Sequence, residues 1–232
     1  MELLEVSGPL LVVLETHTGT GKIEFVAGVQ CYIATPSCDY IKEKVLLYLT
    51  DVFGIPLVNK LLADAFARKG FKTVIMDYHN NDSIPVGTMH RPSAMTSLGG
   101  SPSTLLSSAA RRSHSSCPQG RWGNQFALDG VIAAASVHHL SFLDVPGDLE
   151  KYAATVTAPL LINSCEMDWQ FGPDAQAQAD VIFANFEPGY KREYFEGCDH
   201  GFAVRGDVKV PKIKAGKEEA FEATVEWMKK YL

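Results

Sequence analysis

The sequence predicts an α/β fold: a doubly wound, mostly parallel sheet opened by an antiparallel hairpin. Three observations carry this reading. Short continuous apolar runs, KVLLYLT (44–50), TVIMDY (73–78) and PLLINS (159–164), have the length and composition of strands covered on both faces. Segments with helical periodicity separate them. The stretch 44–78 therefore reads as strand, helix and strand, one right-handed crossover unit of the kind that seeds a doubly wound sheet.

Taken in order, residues 22–35 (KIEFVAGVQCYIAT) alternate apolar and polar around Ala27-Gly28, as two half-buried antiparallel strands joined by a short turn do. KVLLYLT follows as a central strand. Pro56 can start a helix whose stripe is Leu57, Leu61, Leu62, Ala65 and Phe66, with Gly70 as its stop. After TVIMDY the same grammar returns: strands at Val131–Val137 and Pro159–Ser164, a helix at Pro173–Phe186, a short strand at Arg192–Phe195. A last helix, Gly216–Leu232, carries acids early and lysines late, which suits the helix macrodipole. The chain reads as one domain over residues 1–232.

One stretch departs from this grammar. Between Asp82 and Asp129 there is no Asp, Glu or Lys, where a proportional share of acids alone would be about five. It holds ten serines, its lysine- or arginine-type bases are arginine only, and it shows neither strand nor helix period, so about 86–122 reads as a long loop or a disordered insert, or as an altered reading of the gene such as a retained intron or shifted frame.

Composition narrows the function classes. A net charge of −6 provides no field to draw in nucleic acid or anionic lipid, and no run approaches the ~20 apolar residues of a spanning helix. Five cysteines without C-x-x-C spacing argue against a disulfide framework or a structural zinc site and for a reducing, cytoplasmic setting. With no phosphate-binding glycine loop either, no cofactor is expected. His79 to Asp82 holds metal-ligand residue types but lacks a helix or a third histidine.

Two constellations carry chemistry. Asp168 follows the apolar strand LLINSC, and His200 sits in a tight loop, CDHGF, after the last short strand. Open α/β sheets assemble their sites outside the carboxyl ends of the strands, and the interval from Asp168 to His200 holds one helix and one strand. A carboxylate that fixes an imidazole's tautomer, with that imidazole taking a proton from a nucleophile, is the logic of a hydrolytic triad. Cys165 and Cys198 flank the pair and read as small buried residues.

YLTDVFG (48–54), APLLINSCEMD (158–168), FEGCDHGFAVRGD (195–207) and KAGKEEAF (214–221) resemble the dienelactone hydrolase family, especially its fungal members. The resemblance spans roughly residues 19–85 and 127–232. It implies an α/β-hydrolase fold acting on small lactones or esters through a cysteine nucleophile, with Asp168 as triad acid and His200 as base. Asp51 matches the family's carboxylate near the nucleophile, the backbone N–H of Val52 one oxyanion donor, and Arg205, one residue off, the arginine that grips a substrate carboxylate.

Cys117 is the cysteine in the right part of the chain for the nucleophile, but its surroundings, SSCPQGR, differ from the family's G-x-C-x-G-G elbow. Ser115 and Gln119 stand where glycines allow a sharp turn, and Pro118 has no N–H to give to an oxyanion. The family's His-Pro-Ser after the Val131 strand is here His139-Leu140-Ser141. Two other readings stay open: a catalytically silent binding protein, and a lyase or isomerase using His200 and Asp168 alone.

Overall fold

The computed structural model describes residues 19–84, 126–138, 140–141 and 143–232. The expected hairpin is present: β1 (Lys22–Val26) pairs antiparallel with β2 (Val29–Ala34). Its two turn residues, Ala27 (φ 51°) and Gly28 (φ 85°), are both left-handed, the geometry whose twist matches that of the flanking strands. β3 (Leu46–Tyr48) runs parallel to β4 (Thr73–Met76), and β4 in turn lies antiparallel to β2, so the sheet order is β1-β2-β4-β3.

α1 (Leu57–Arg68) makes the crossover between β3 and β4, with Pro56 just ahead of it and Gly70 (φ 96°) ending it. Leu61, Ala65 and Phe66 of the predicted stripe are buried, while Leu57 faces outward. Asp64, on the same helix, is also buried. It accepts the Tyr32 hydroxyl at 2.8 Å and the amides of Thr20 and Gly21 at 2.7 and 3.1 Å, which ties the start of the hairpin to the helix.

The second half is all parallel: β5 (Ala135–His138), β6 (Leu160–Met167) and β7 (Tyr190–Asp199), in that order. α2 (Gly147–Thr155) connects β5 to β6, and α3 (Pro173–Ile182) connects β6 to β7. α4 (Phe202–Arg205) is one short turn, followed by α5 (Pro211–Tyr231). β6 is the spine of this half. Its first six residues are buried, and Leu160 and Ile162 join Phe171, Phe183 and Tyr152 in the largest core cluster.

α5 binds the halves together. Phe221 and Val225 pack on Ala65 and Phe66 of α1, while Trp227 and Met228 pack on Leu161 of β6. The Phe66 and Phe221 rings lie 4.7 Å apart, and Lys69 reaches Glu222 at 2.7 Å. No helix among the described residues is long and apolar enough to cross a membrane.

Several boundaries differ from expectation. The strand placed at Val131–Val137 begins at Ala135, and Val131 is exposed. Arg192–Phe195 is the middle of a ten-residue strand, because β7, last in the described order β5-β6-β7, tolerates alternating charge: Arg192 lies along it and pairs with Asp180 of α3. The helix at Pro173 stops at Ile182 rather than Phe186, and the last helix starts at Pro211, five residues earlier than its apolar stripe suggests.

β3, expected at the centre, is the last described strand of its sheet and only half-buried. Between it and β5 the described residues bound a cleft of about 490 Å³, lined by Leu46, Tyr48, Phe66, Val137, Leu140 and Ser141 among others. The Ser/Arg-rich segment, and Cys117 with it, lies outside the described residues.

Candidate active site

The carboxyl ends of β6 and β7 bring the two predicted groups together. Asp168 is the first residue after β6 and His200 the first after β7. Asp168 Oδ1 lies 2.8 Å from His200 Nδ1. Their closeness depends on an irregularity. Cys165 is level with Phe195, but Met167 is level with Asp199, so β7 spends two extra residues across this interval. Gly197 absorbs the bulge with φ 74° and gives its N–H to Glu166 Oε2 at 2.7 Å. The chain then returns to β6, where the His200 amide donates to the Met167 carbonyl at 3.1 Å. Gly201 (φ 95°) makes the next sharp turn, and a Cβ there would stand 2.5 Å from Arg205 Nη2.

Asp168 is held as an acceptor. Its Oδ1 also takes the amides of Gln170 at 2.9 Å and Phe171 at 3.1 Å, and only 6% of the residue is exposed. Burial alone pushes its pKa up. The hydrogen bond and charge of His200, with the two amides, outweigh that and hold the carboxyl below its ordinary range. An ionised Asp168 facing Nδ1 selects the tautomer with the proton on Nδ1 and leaves Nε2 as the basic nitrogen. Nε2 lies 3.3 Å from the hydroxyl of Ser141, itself three residues past the end of β5. Trp169, 70% exposed, stands beside the imidazole with ring centroids 5.7 Å apart.

Asp51, Val52 and Arg205 form a second group nearby. Asp51 is buried in the turn after β3, where Oδ1 accepts the Phe53 amide at 3.2 Å and Oδ2 is ion-paired with Arg205. As a capping group it closes this turn; the residue ahead of α1 is Pro56. The Arg205 guanidinium lies 4.9 Å over the Phe53 ring and against Gly201, one residue from the imidazole. The Val52 carbonyl accepts the Ile84 amide at 2.9 Å, and the Asp51 carbonyl lies 3.1 Å from His79 Nε2.

The described cysteines near the pair are poorly suited to attack a carbonyl. Cys165 Sγ lies 3.9 Å from Asp168 Oδ2, and burial, with Asp168 beside it, pushes its thiol well up. Burial also raises Cys198. His138 closes β5 with its ring 3.3 Å from the Asn163 amide nitrogen and 3.4 Å from Thr224 Oγ1, and burial lowers its pKa to about 4. It is a neutral structural imidazole. Among the described residues no group of three His, Cys, Asp or Glu side chains could hold a metal ion.

Sequence reasoning placed Asp168 and His200 but gave no role to Ser141 or Trp169. The available signal was positional: Ser141 follows its strand just as the acid and base follow theirs.

Comparison with known proteins finds relatives in sequence and in fold. The chain is 28% identical over 230 residues to hydrolase pyvD of Aspergillus violaceofuscus, covering 91% of each. It is 24% identical over 237 residues to dienlactone hydrolase 1 of Gibberella moniliformis, covering 91% of this chain and 89% of that one. Among solved structures, a Klebsiella pneumoniae subsp. pneumoniae protein assigned as a dienelactone hydrolase superposes with a TM-score of 0.63 at 14% identity, covering 88% of this chain and 93% of its own. A soluble variant of monoglyceride lipase from Saccharomyces cerevisiae gives 0.57 at 11% identity, covering 97% and 99%. At such identities these two report the fold, an α/β-hydrolase type. The family model for dienelactone hydrolases matches residues 29–232, a span that includes every described strand from β2 onward, the bulge and the acid–base pair, and the chain belongs to the dienelactone hydrolase family.

Proposed function

We propose that the chain hydrolyses ester or lactone bonds of small molecules by acyl transfer, with His200 as the proton shuttle and Asp168 as its orienting carboxylate. The observation that carries this reading is the 2.8 Å contact between Asp168 Oδ1 and His200 Nδ1 at adjacent parallel-strand ends. A nucleophile at Nε2 gives up its proton to the ring as it attacks the carbonyl. The imidazolium then protonates the leaving alcohol, and a water repeats the sequence to release the acid. The ionised Asp168 stabilises the imidazolium in both halves of the cycle. Arg205, ion-paired with Asp51 beside the base, is the cation that a carboxylate on the substrate would meet. No step calls for a metal or an organic cofactor.

The relatives named as hydrolase and dienlactone hydrolase support the reaction class. Cys117 is the thiol that the family pattern offers as nucleophile. Whether the attacking atom is that sulfur is a separate matter from the acid–base pair. Hydrolysis of p-nitrophenyl butyrate by wild type and His200→Ala tests the proposal. Loss of the base is expected to slow the reaction by about 10²-fold or more with thermal unfolding unchanged. Equal rates in the two proteins overturn it.

A further inference from the structure

Three adjacent parallel strands, β5, β6 and β7, each deliver one polar side chain just beyond the carboxyl end: Ser141, Asp168 and His200. We infer that Ser141 is the nucleophile, so that the chain carries a Ser141–His200–Asp168 triad on neighbouring strands. This rests on the reading of the site as an ester or lactone hydrolase.

The geometry has the connectivity such chemistry requires. Nucleophile, base and orienting acid must form one chain of hydrogen bonds, with the imidazole in the middle. Ser141 Oγ lies 3.3 Å from Nε2, and Nδ1 lies 2.8 Å from Asp168 Oδ1. With the ring proton on Nδ1, Nε2 accepts and the Ser141 hydroxyl donates. A length of 3.3 Å is long for such a bond, and catalytic bonds of this kind tighten when substrate is engaged.

The hydroxyl is also held in place. Ser141 is 6% exposed, and the residue before it, Leu140, is anchored in the main core with Leu149 and Phe171. Its side chain lines the cleft between the sheets beside Val137, Leu140 and Val204. Among the described residues, the cleft neighbours Val137, Leu140 and Val204 are apolar, so the substrate that matches them is an ester with an uncharged, apolar acyl part. Cys165 offers no comparable route, because its sulfur faces the acid rather than the base.

The step balances without a further reagent. Ser141 Oγ bonds to the carbonyl carbon, its proton moves to Nε2, and the carbonyl π pair goes to oxygen. As the carbonyl re-forms, the carbon–alkoxy bond breaks and the alcohol leaves with the proton from Nε2. Water then attacks the Ser141 ester, passing a proton to Nε2; the acyl–Oγ bond breaks and Oγ takes that proton back.

The experiment is acyl-enzyme trapping with mass spectrometry. Wild type, Ser141→Ala, His200→Ala and Cys117→Ala are each mixed with p-nitrophenyl butyrate, quenched in acid and digested. In parallel each is treated with phenylmethylsulfonyl fluoride. The expected result is one butyryl or sulfonyl group on the Ser141 peptide of wild type and of Cys117→Ala, and none on that peptide in the other two. Hydrolysis is expected to fall by about 10³-fold or more in Ser141→Ala. Because the adduct is read on wild-type protein, a poorly folding variant does not decide the matter.

An acyl group on Cys117, or undiminished hydrolysis by Ser141→Ala, overturns the assignment and leaves the hydrolase reading standing. Hydrolysis lost in Ser141→Ala with no adduct on Ser141 in wild type makes it a positioning residue, which also overturns it. A sulfonyl adduct on Ser141 without turnover of any ester supports the nucleophile and overturns the hydrolase reading. Neither adduct nor turnover in wild type overturns both.

Discussion

The two halves of the sheet each bury a carboxylate, and they use it differently. In the β1-β2-β4-β3 half, Asp64 accepts one hydroxyl and two amides, all from groups that stay protonated across the physiological range. In the β5-β6-β7 half, Asp168 accepts two amides and one imidazole. Replacing a tyrosine by a histidine among the partners turns a structural anchor into half of a proton relay. Burial and hydrogen-bond count alone do not distinguish the two residues; the ability of the partner to titrate does.

That contrast is broken most severely by swapping one carboxylate at a time. Asp168→Asn keeps an acceptor for the Gln170 and Phe171 amides but no longer fixes the imidazole tautomer. Ester hydrolysis is expected to fall by roughly 10³- to 10⁴-fold, with urea unfolding shifted little. Asp64→Ala is expected to do the reverse. It strands three donors and lowers stability by about 2 to 3 kcal/mol in urea titrations, with hydrolysis per folded molecule unchanged.

The β5-β6-β7 half also makes stability depend on pH. His138, lowered to about 4, stays neutral in the folded protein while the unfolded chain takes up a proton below about 6.5. The unfolded state then binds more protons, so stability falls as pH drops from about 6.5 to about 4, by no more than about 1.4 kcal/mol per unit. Asp168, whose carboxyl is depressed, contributes stability that is present above the ordinary carboxylate range and is lost at still lower pH. Chemical denaturation at a series of pH values reads this slope, and His138→Gln is expected to flatten its upper part.

Smaller effects sharpen the comparison. Gly197→Ala forces a Cβ into the left-handed bulge and against Lys212, costing about 1 kcal/mol. The loss of hydrolysis should exceed what that destabilisation explains, because the bulge sets the position of His200. Glu222→Gln removes the partly exposed ion pair between α1 and α5 and is expected to cost about 0.5 kcal/mol or less in thermal unfolding.

What the sequence revealed follows the physics of each segment. LLINSC is buried on both faces, and its continuous apolar text announces β6 and the acid after it. The hairpin was legible because Ala27-Gly28 interrupts a clean alternation. β7 was underestimated, since a strand last in the described order can hold Lys191, Arg192 and Glu193 without burying their charges, so its text looks polar. α2 was not expected because GDLEKYAAT buries only Leu149 and Tyr152, too few to reveal a period. Ser141 went without a role for a different reason. A triad hydroxyl is recognised by where it points, and its tripeptide context holds no glycine elbow; only the neighbouring strand order brings it to Nε2.

The central claim is that Asp168 fixes the imidazole of His200 with its proton on Nδ1 and its basic nitrogen turned toward the nucleophile. Nitrogen-15 NMR of histidine-labelled protein at alkaline pH, with the ring neutral, reports this directly. The account predicts the Nδ1–H form for His200 in wild type and a mixture, or the Nε2–H form, in Asp168→Asn. A wild-type ring protonated on Nε2, or a tautomer unaffected by Asp168→Asn, contradicts it.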